Sequence, residues 1–348
     1  DMNCTISFVM PVYNAEAVLA TTLDSIVAQD DGSFEIICVD DGSTDGSGDI
    51  LHRYASEHPF IHVISQNNQG ITAARNAALP HAVGTWICFI DNDDILAAQA
   101  VRTIHQYADE SCDIVYFDYE RFSDDAPDQA GNEVKGSEVL HANDIVKLQS
   151  DCINRFRDNH PLIPHSVLPT PWAKVYRREF LQQYGLTFRN EVTHEEDVVF
   201  NFEVLAHVRK AMRIAYTLYY YRWSVKSESH RYRPQISENV EHTLNAYEDI
   251  IGRLYPDRKD IAELYQYRVL WELLYCVYLG PMHIHNPRSY RQRRADFQEL
   301  LRRERFKSAL RNVSTFRFEP LQSVLSTLIK MRQFWLLNII GKVVYNIR

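Results

Sequence analysis

Residues 88–96 read CFIDNDDIL, three aspartates in four positions directly after an apolar run. Asp91, Asp93 and Asp94 repel one another, and each loses hydration wherever the site is enclosed. A cation arriving from solution offsets both costs. Two hard oxygen donors suit Mn2+ or Mg2+, which keep waters and accept substrate phosphates as further ligands. Strand alternation sends Asp91 and Asp93 to one side, where they converge, and Asn92 to the other. Asp94 is then left to cap the helix that follows.

Two further groups carry comparable chemistry. In VDDGSTDGS (39–47), Ser43 or Asp45 suits an N-cap of the helix containing Ile50. Asp40 and Asp41 stand before the turn begins, where a carboxylate can accept a uracil imide N–H or a ribose hydroxyl. In HEEDV (194–198), three successive acids open a helix, a placement the helix dipole favours without any catalytic role. The fifth residue is Val198, so this is not the H-E-x-x-H zinc pattern.

The surrounding elements explain how such residues meet. TISFVMPVYN, FEIICVD, FIHVISQ and GTWICFIDNDD are apolar runs suited to strands buried on both faces. Between them Leu19, Leu23 and Ile26, then Ile50, Leu51 and Tyr54, then Ala73, Ala74, Ala77 and Ala78 recur at helical spacing. Strand alternating with helix predicts right-handed crossovers, hence an α/β fold with a mostly parallel sheet flanked by helices. Asn14, Asp40, Asp41, Asp91 and Asp93 all fall at carboxyl ends of these strands, the edge where open α/β sheets bind ligands. After about Asp113 the alternation weakens, with DIVYFDYERF and AYTLYYYRW as later strands. From about residue 224 the pattern is helical to the end. The expected division is 1–223, with a nucleotide-binding half at 1–105 and an acceptor half at 106–223, followed by a helical region at 224–348.

Composition narrows the class. With 348 residues, 45% apolar and 24% charged, the chain reads as an ordinary globular protein. A net charge of −9 argues against a nucleic-acid partner. The six cysteines form no CxxC pair, so reduced core residues are expected and a zinc site is not. No signal peptide or membrane-spanning run is read, which predicts a cytoplasmic location. The charge is nevertheless uneven: ten Lys/Arg stand against three acids between Asn286 and Arg317.

MPVYNAE, VDDGSTDGS, NQGITAARNAAL, GTWICFIDNDDIL and HEEDVVFN, in this order and spacing, resemble the family 2 inverting nucleotide-sugar glycosyltransferases of GT-A fold. The similarity covers about residues 5–225. It implies a nucleotide-diphosphate sugar donor, most often a UDP-sugar, and a divalent metal, Mn2+ or Mg2+. Carried over by position, Pro11, Tyr13 and Asn14 would line the nucleotide pocket. Asp41 would meet the base with Asp40 beside it, and Arg75 would sit near the base or the diphosphate. Asp91 would contact the ribose or a metal-bound water, with Asn92 in the same donor-binding turn, and Asp93 would ligate the metal. Glu196 and Asp197 match the motif that supplies the catalytic base, with Asp197 favoured. Lys174 matches a recurrent segment and would reach a phosphate or the acceptor, or form a structural ion pair. His230 falls where some relatives carry an extra metal contact.

The reaction implied is inverting transfer to a hydroxyl of a saccharide or lipid-linked saccharide. Charge on the departing diphosphate is offset by the metal, and one carboxylate deprotonates the acceptor. Two other functions share this fold edge. A nucleotidyltransferase needs a glycine-rich, basic loop after the first strand, and PVYNAEAV has neither feature. A non-catalytic sugar-nucleotide binding module predicts loss of the metal aspartate or the base, and both Asp93 and Asp197 are present. In the C-terminal region Val324, Leu328, Met331, Trp335, Ile339 and Val343 follow helical spacing beside Lys330, Arg332 and Lys342. The stripe either packs as a bundle on the catalytic domain or attaches to an anionic membrane surface.

Overall fold

The computed structural model describes residues 5–29, 33–123, 136–163, 167–223 and 232–347, with side chains through Val343. His230 and Cys4 lie outside the described residues. The chain forms two compact units. The first comprises Asp1–Leu148, Ile163–Glu191 and Glu196–Val225; the second comprises Gln149–Leu162, Val192–Glu195 and Lys226–Arg348.

The first unit is built on one sheet. Its strands are β1 (Ile6–Val12), β2 (Phe34–Asp40), β3 (Ile61–Ser65), β4 (Trp86–Phe89), β5 (Ile95–Leu96), β6 (Ile114–Phe122), β7 (Ser137–Leu140), β8 (Lys174–Arg177) and β9 (Ala211–Arg222). They run in the order β3-β2-β1-β4-β8-β6-β9-β5, with β7 paired to β9. The β3-β2-β1-β4 half is wholly parallel. Helices α1 (Leu19–Val27), α2 (Ser47–Glu57) and α3 (Ile71–Ala78) make its crossovers. All seven residues of β1 are buried, as a strand covered on both faces requires. Phe8, Met10, Ile36, Cys38, Trp86 and Cys88 belong to one buried cluster with Leu19, Leu23 and Ile26 of α1. Each such large apolar side chain contributes about 1.5–3 kcal/mol by leaving water.

The antiparallel pairs all involve β8 or β9, which is why regular alternation fades in the second half. Long β9 lies parallel to β6, with register shifts around Asp118. Helices α4 (Ala100–Tyr107), α6 (Arg178–Tyr184) and α7 (Glu196–His207) complete this unit, and α5 (Ala142–Ile153) runs out of it.

The second unit is helical: α8 (Ile236–Leu254), α9 (Lys259–Leu279), α10 (Tyr290–Leu300), α11 (Glu304–Asn312), α12 (Pro320–Lys330) and α13 (Phe334–Ile347). Part of its basic segment is consumed internally. Arg303 and Arg305 pair with Glu241 at 3.1 and 2.7 Å, and Arg305 also reaches Glu248. The predicted apolar stripe is not the packed face of these helices. Leu325, Ile329, Phe334 and Leu337 are buried, whereas Trp335, Ile339 and Val343 stay 54%, 50% and 50% exposed. Helical spacing finds an apolar face, but a helix that is apolar on two faces leaves the choice to its neighbours. No described helix is long and apolar enough to cross a membrane. Cys38, Cys88, Cys112, Cys152 and Cys276 are free and buried.

Candidate active site

The parallel strands deliver their carboxyl ends to one edge, and three loops there are tied to one another. Asn14, in the left-handed region at φ 49°, accepts the Thr44 N–H at 2.8 Å through Oδ1. Its own N–H donates to Ser43 Oγ at 3.1 Å. Ser43 is therefore turned toward the first loop, and the N-cap of α2 is Gly46 rather than Ser43 or Asp45; Asp45, one residue earlier, accepts the Ser47 N–H at 3.0 Å. Glu16 returns the link by accepting from Gly46. Tyr13 is exposed at this edge, while Pro11 is buried and offers its carbonyl.

Asp40 and Asp41 part ways. Asp40 ends β2, and its Oδ1 accepts the Ser43 N–H at 2.9 Å. Asp41 is buried, and its carboxylate accepts from Gln66 Nε2 at 2.7 Å, Gln69 N at 2.9 Å and Gly70 N at 2.8 Å. These donors hold the loop entering α3, which has no capping side chain of its own. An anion is favoured at that helix start. Gly42, at φ 74°, makes the turn possible; a Cβ there would lie 2.8 Å from Asn68 N.

The aspartate triplet lies beyond the end of β4. Residues 91–94 form a turn closed by the Asp94 N–H to the Asp91 carbonyl at 3.3 Å. Strand alternation is thus not what brings Asp91 and Asp93 near each other; the turn does so. Asn92 points away as expected, donating to the Pro11 carbonyl at 3.0 Å and fixing the turn against β1. Asp94 is no helix cap. It is fully buried and accepts the Tyr219 hydroxyl and the Arg222 N–H. Burial, then the charge of Asp91, pushes the Asp93 carboxyl up to about 6. That crowding is what a hard dication offsets, so the carboxylate pair fits Mn2+ or Mg2+.

Arg75 of α3 joins this turn to the HEED segment. Its guanidinium is buried, 3.1 Å from Asp91 and 3.5 Å from Glu196, and lies over the Phe188 ring at 5.1 Å. It faces carboxylates, and so is committed before any diphosphate arrives. Glu196 and Asp197 open α7. Burial, then the neighbouring charge of Asp197, pushes the Glu196 carboxyl up to about 7 against the opposing pull of Arg75. Asp197 Oδ1 accepts the Val198 N–H at 2.8 Å.

Lys174 departs from expectation. It is buried and directs its ammonium to the carbonyls of Val167 at 2.6 Å, Leu168 at 3.1 Å and Thr170. Through these carbonyls it braces residues 167–170 rather than reaching toward a phosphate. The sequence reading missed two supports of the triplet. Arg222 donates from Nε to the Asp93 carbonyl at 2.8 Å. Trp172 stacks on Tyr219 and Tyr221 at 5.0 and 5.2 Å, holding the tyrosine that reaches Asp94. The available signal was the period of two that puts Tyr219 and Tyr221 on one face of β9.

The chain is similar to known proteins in sequence and in fold. The sequence model of the family described as Glycosyl transferase family 2 matches residues 7–185. EpsH of Bacillus subtilis (strain 168), a glycosyltransferase by name, is 30% identical over 238 residues, 67% of this chain and 65% of that protein. The chain thus spans slightly less than two thirds of that relative. In fold, the chain is similar to S. aureus TarS 1–349 in complex with UDP-GlcNAc (TM-score 0.62, 17% identity, covering 98% of this chain and 92% of that one). It is also similar to the mannosyltransferase PcManGT from Pyrobaculum calidifontis in complex with GDP-Man and Mn2+ (TM-score 0.50, 19% identity, covering 98% and 86%).

Proposed function

Because the chain belongs to glycosyl transferase family 2, we propose that it transfers a sugar, with inversion, from a nucleotide-diphosphate sugar to a hydroxyl of a saccharide or lipid-linked saccharide. The observation that carries this reading is the Arg75 bridge, which draws Asp91 and Glu196 to one sheet edge. Acids from the two ends of the catalytic region converge there beside Asp93. A UDP-sugar is the favoured donor, supported by the fold shared with TarS, whose structure holds UDP-GlcNAc.

Roles follow from placement. The loops after β1 and β2, cross-linked through Asn14, Ser43 and Thr44, form the wall that receives the nucleotide. Asp40 stands at the rim of that wall; buried Asp41 shapes it from behind. Asp93 and Asp91 would hold the dication, which stabilises charge on the departing diphosphate. Asp197, at the start of α7, takes the proton from the acceptor hydroxyl on the face opposite the leaving group. The acceptor oxygen, freed of its proton, forms a bond to the anomeric carbon from the back as the bond to the diphosphate breaks; this single displacement inverts the centre, and a second carboxylate is not required. Glu196 stays on Arg75 and keeps the helix start aimed at the turn.

Peripheral attachment to an anionic membrane is part of the same reading. Residues 320–348 contain no Asp or Glu, and Lys330, Arg332 and Lys342 flank the exposed Trp335 and Ile339 in the sequence. The deciding experiment is calorimetric titration with a panel of nucleotide sugars, with and without Mn2+. A donor at 100 times its dissociation constant adds about 2.7 kcal/mol of stability. Failure of every UDP compound to bind removes the uridine assignment. Equal binding of donor and Mn2+ by Asp93→Ala removes the metal site.

A further inference from the structure

We infer that the second unit carries a binding site for a phosphate group, built by the end of α11 and the turn after α12. A cavity of about 240 Å³ is lined by Leu301, Lys307, Leu310, Arg311, Lys330 and Arg332, all within that unit. Pockets for drug-sized ligands run to roughly 300–1,000 Å³, so a small group suits this one. Every charged residue of the lining is a cation. Like charges gathered around one space repel, and each loses hydration as the space closes. An anion from solution offsets both costs.

Helix ends account for part of this charge. Arg311 and Lys330 lie in the last turns of α11 and α12, where the helix dipole favours a cation. Lys307 pairs with the exposed Glu304 at 3.1 Å. Arg332 has no such reason. It stands one residue beyond the cap of α12, in the left-handed region at φ 57°, with its N–H on the Ile329 carbonyl at 2.9 Å. Glycine or asparagine ordinarily takes that position, because a β-carbon is costly there. Among the described residues no acid pairs with Arg311, Lys330 or Arg332. Arg303 and Arg305, earlier in the same basic segment, are by contrast tied to Glu241. Planar guanidinium groups fit phosphate oxygens in pairs of hydrogen bonds. A phosphate monoester carries about −1.5 to −2 charge at pH 7, and so answers several cations where a carboxylate answers one. Met331, between Lys330 and Arg332 and 60% exposed, favours a lipid headgroup as the source of that phosphate. The lipid source rests on the membrane attachment proposed above; the anion site itself does not.

Calorimetric titration of the full chain with inorganic pyrophosphate, after dialysis to remove divalent cations, tests the site. Arg332→Gly removes the guanidinium and suits the backbone, so its urea midpoint should not fall below the parent's. Arg332→Gly and Arg311→Gln should each weaken pyrophosphate binding at least about tenfold, as charge-assisted hydrogen bonds are lost. Arg302→Gln, a like change at an exposed arginine outside the cavity lining, should stay within about twofold of the parent. Parental affinity in a folded Arg332→Gly or Arg311→Gln overturns the site, as does an equal loss in Arg302→Gln. Vesicles matched in surface charge then separate the sources. The parent should sediment with phosphatidic acid, a monoester, at least about fivefold more than with phosphatidylglycerol, a diester, and Arg332→Gly should lose that preference. Pyrophosphate binding with no preference between the two vesicles keeps the site and overturns the lipid as its source. None of these measurements depends on turnover, so a chain that transfers no sugar leaves their outcome intact.

Discussion

Arg75 Nη2 lies 3.1 Å from Asp91 Oδ1, while its other terminal nitrogen reaches Glu196 at 3.5 Å. One buried cation thus answers two acids from distant parts of the chain. Replacing it as Arg75→Met leaves both carboxylates facing each other without a counter-charge. The expected loss of unfolding free energy is about 2–4 kcal/mol at pH 8, read from urea denaturation. At pH 5 the Glu196 carboxyl, pushed up to about 7, is already protonated, so the loss should shrink. A loss of the same size at both pH values contradicts the bridge as the source.

Glu196 gives the parent protein a pH signature of its own. The folded carboxyl titrates near 7, raised first by burial, against an ordinary value of 4.5. Between those values the folded state binds more protons than the unfolded chain, so stability falls as pH rises through the window. This contribution is fully present below 4.5 and gone above 7. Glu196→Gln removes the titration. It should match the parent at pH 4 and exceed it by about 1–2 kcal/mol at pH 8, a figure reduced for the partial exposure of the group. Parallel stability profiles for the two proteins would refute the assignment.

Much of the scaffold was legible because buried parallel strands have a plain signature. Continuous apolar runs such as Ile6–Val12 ended in turn formers, and the carboxyl-end placement of Asn14, Asp40 and Asp41 followed directly. Two features were hidden for physical reasons. Asp94 and Asp93 are adjacent in a turn, and nothing local tells which is fully buried against Tyr219 and which stays partly accessible. Lys174 belongs to a short segment whose carbonyls curl back on its own ammonium, a contact set by loop shape and not by spacing. The outer face of α13 was hidden in the same way, since apolar residues at 334–337 and 339–340 serve both sides.

Lys174 offers a clean separation of fold from chemistry. Lys174→Met preserves the stem but removes one donor from each of the carbonyls of Val167, Leu168 and Thr170; Val167 keeps the Thr170 N–H and hydroxyl, and Thr170 keeps Asn201 Nδ2. Buried acceptors left unmade cost about 1–3 kcal/mol each before relaxation. With the Leu168 carbonyl bearing most of the loss, the variant should lose about 1–3 kcal/mol by urea denaturation, yet retain donor KM within about threefold at a temperature where it is folded. A KM raised more than about tenfold in folded protein would return Lys174 to the phosphate-binding set.

The exposed face of α13 carries the last prediction. Trp335, Ile339 and Val343 lie at four-residue spacing, each about half exposed, with Lys342 between them. Water contact at three large apolar side chains is unfavourable, and the charged residues in 320–348 are all basic. Together these suit the boundary between head groups and acyl chains, where apolar burial and attraction to anionic lipid add. Vesicles containing about 30% anionic lipid should sediment the parent protein, and neutral vesicles should do so weakly. Trp335→Ser with Ile339→Ser removes about 1 kcal/mol or more per side chain, lowering the partition at least about tenfold without changing turnover of a soluble acceptor. Raising salt should weaken the parent's binding as screening shortens the reach of the basic residues. Undiminished sedimentation of the double variant would show that another surface meets the membrane. A parental dimer that the same two changes dissolve would instead make this face a contact between copies of the chain.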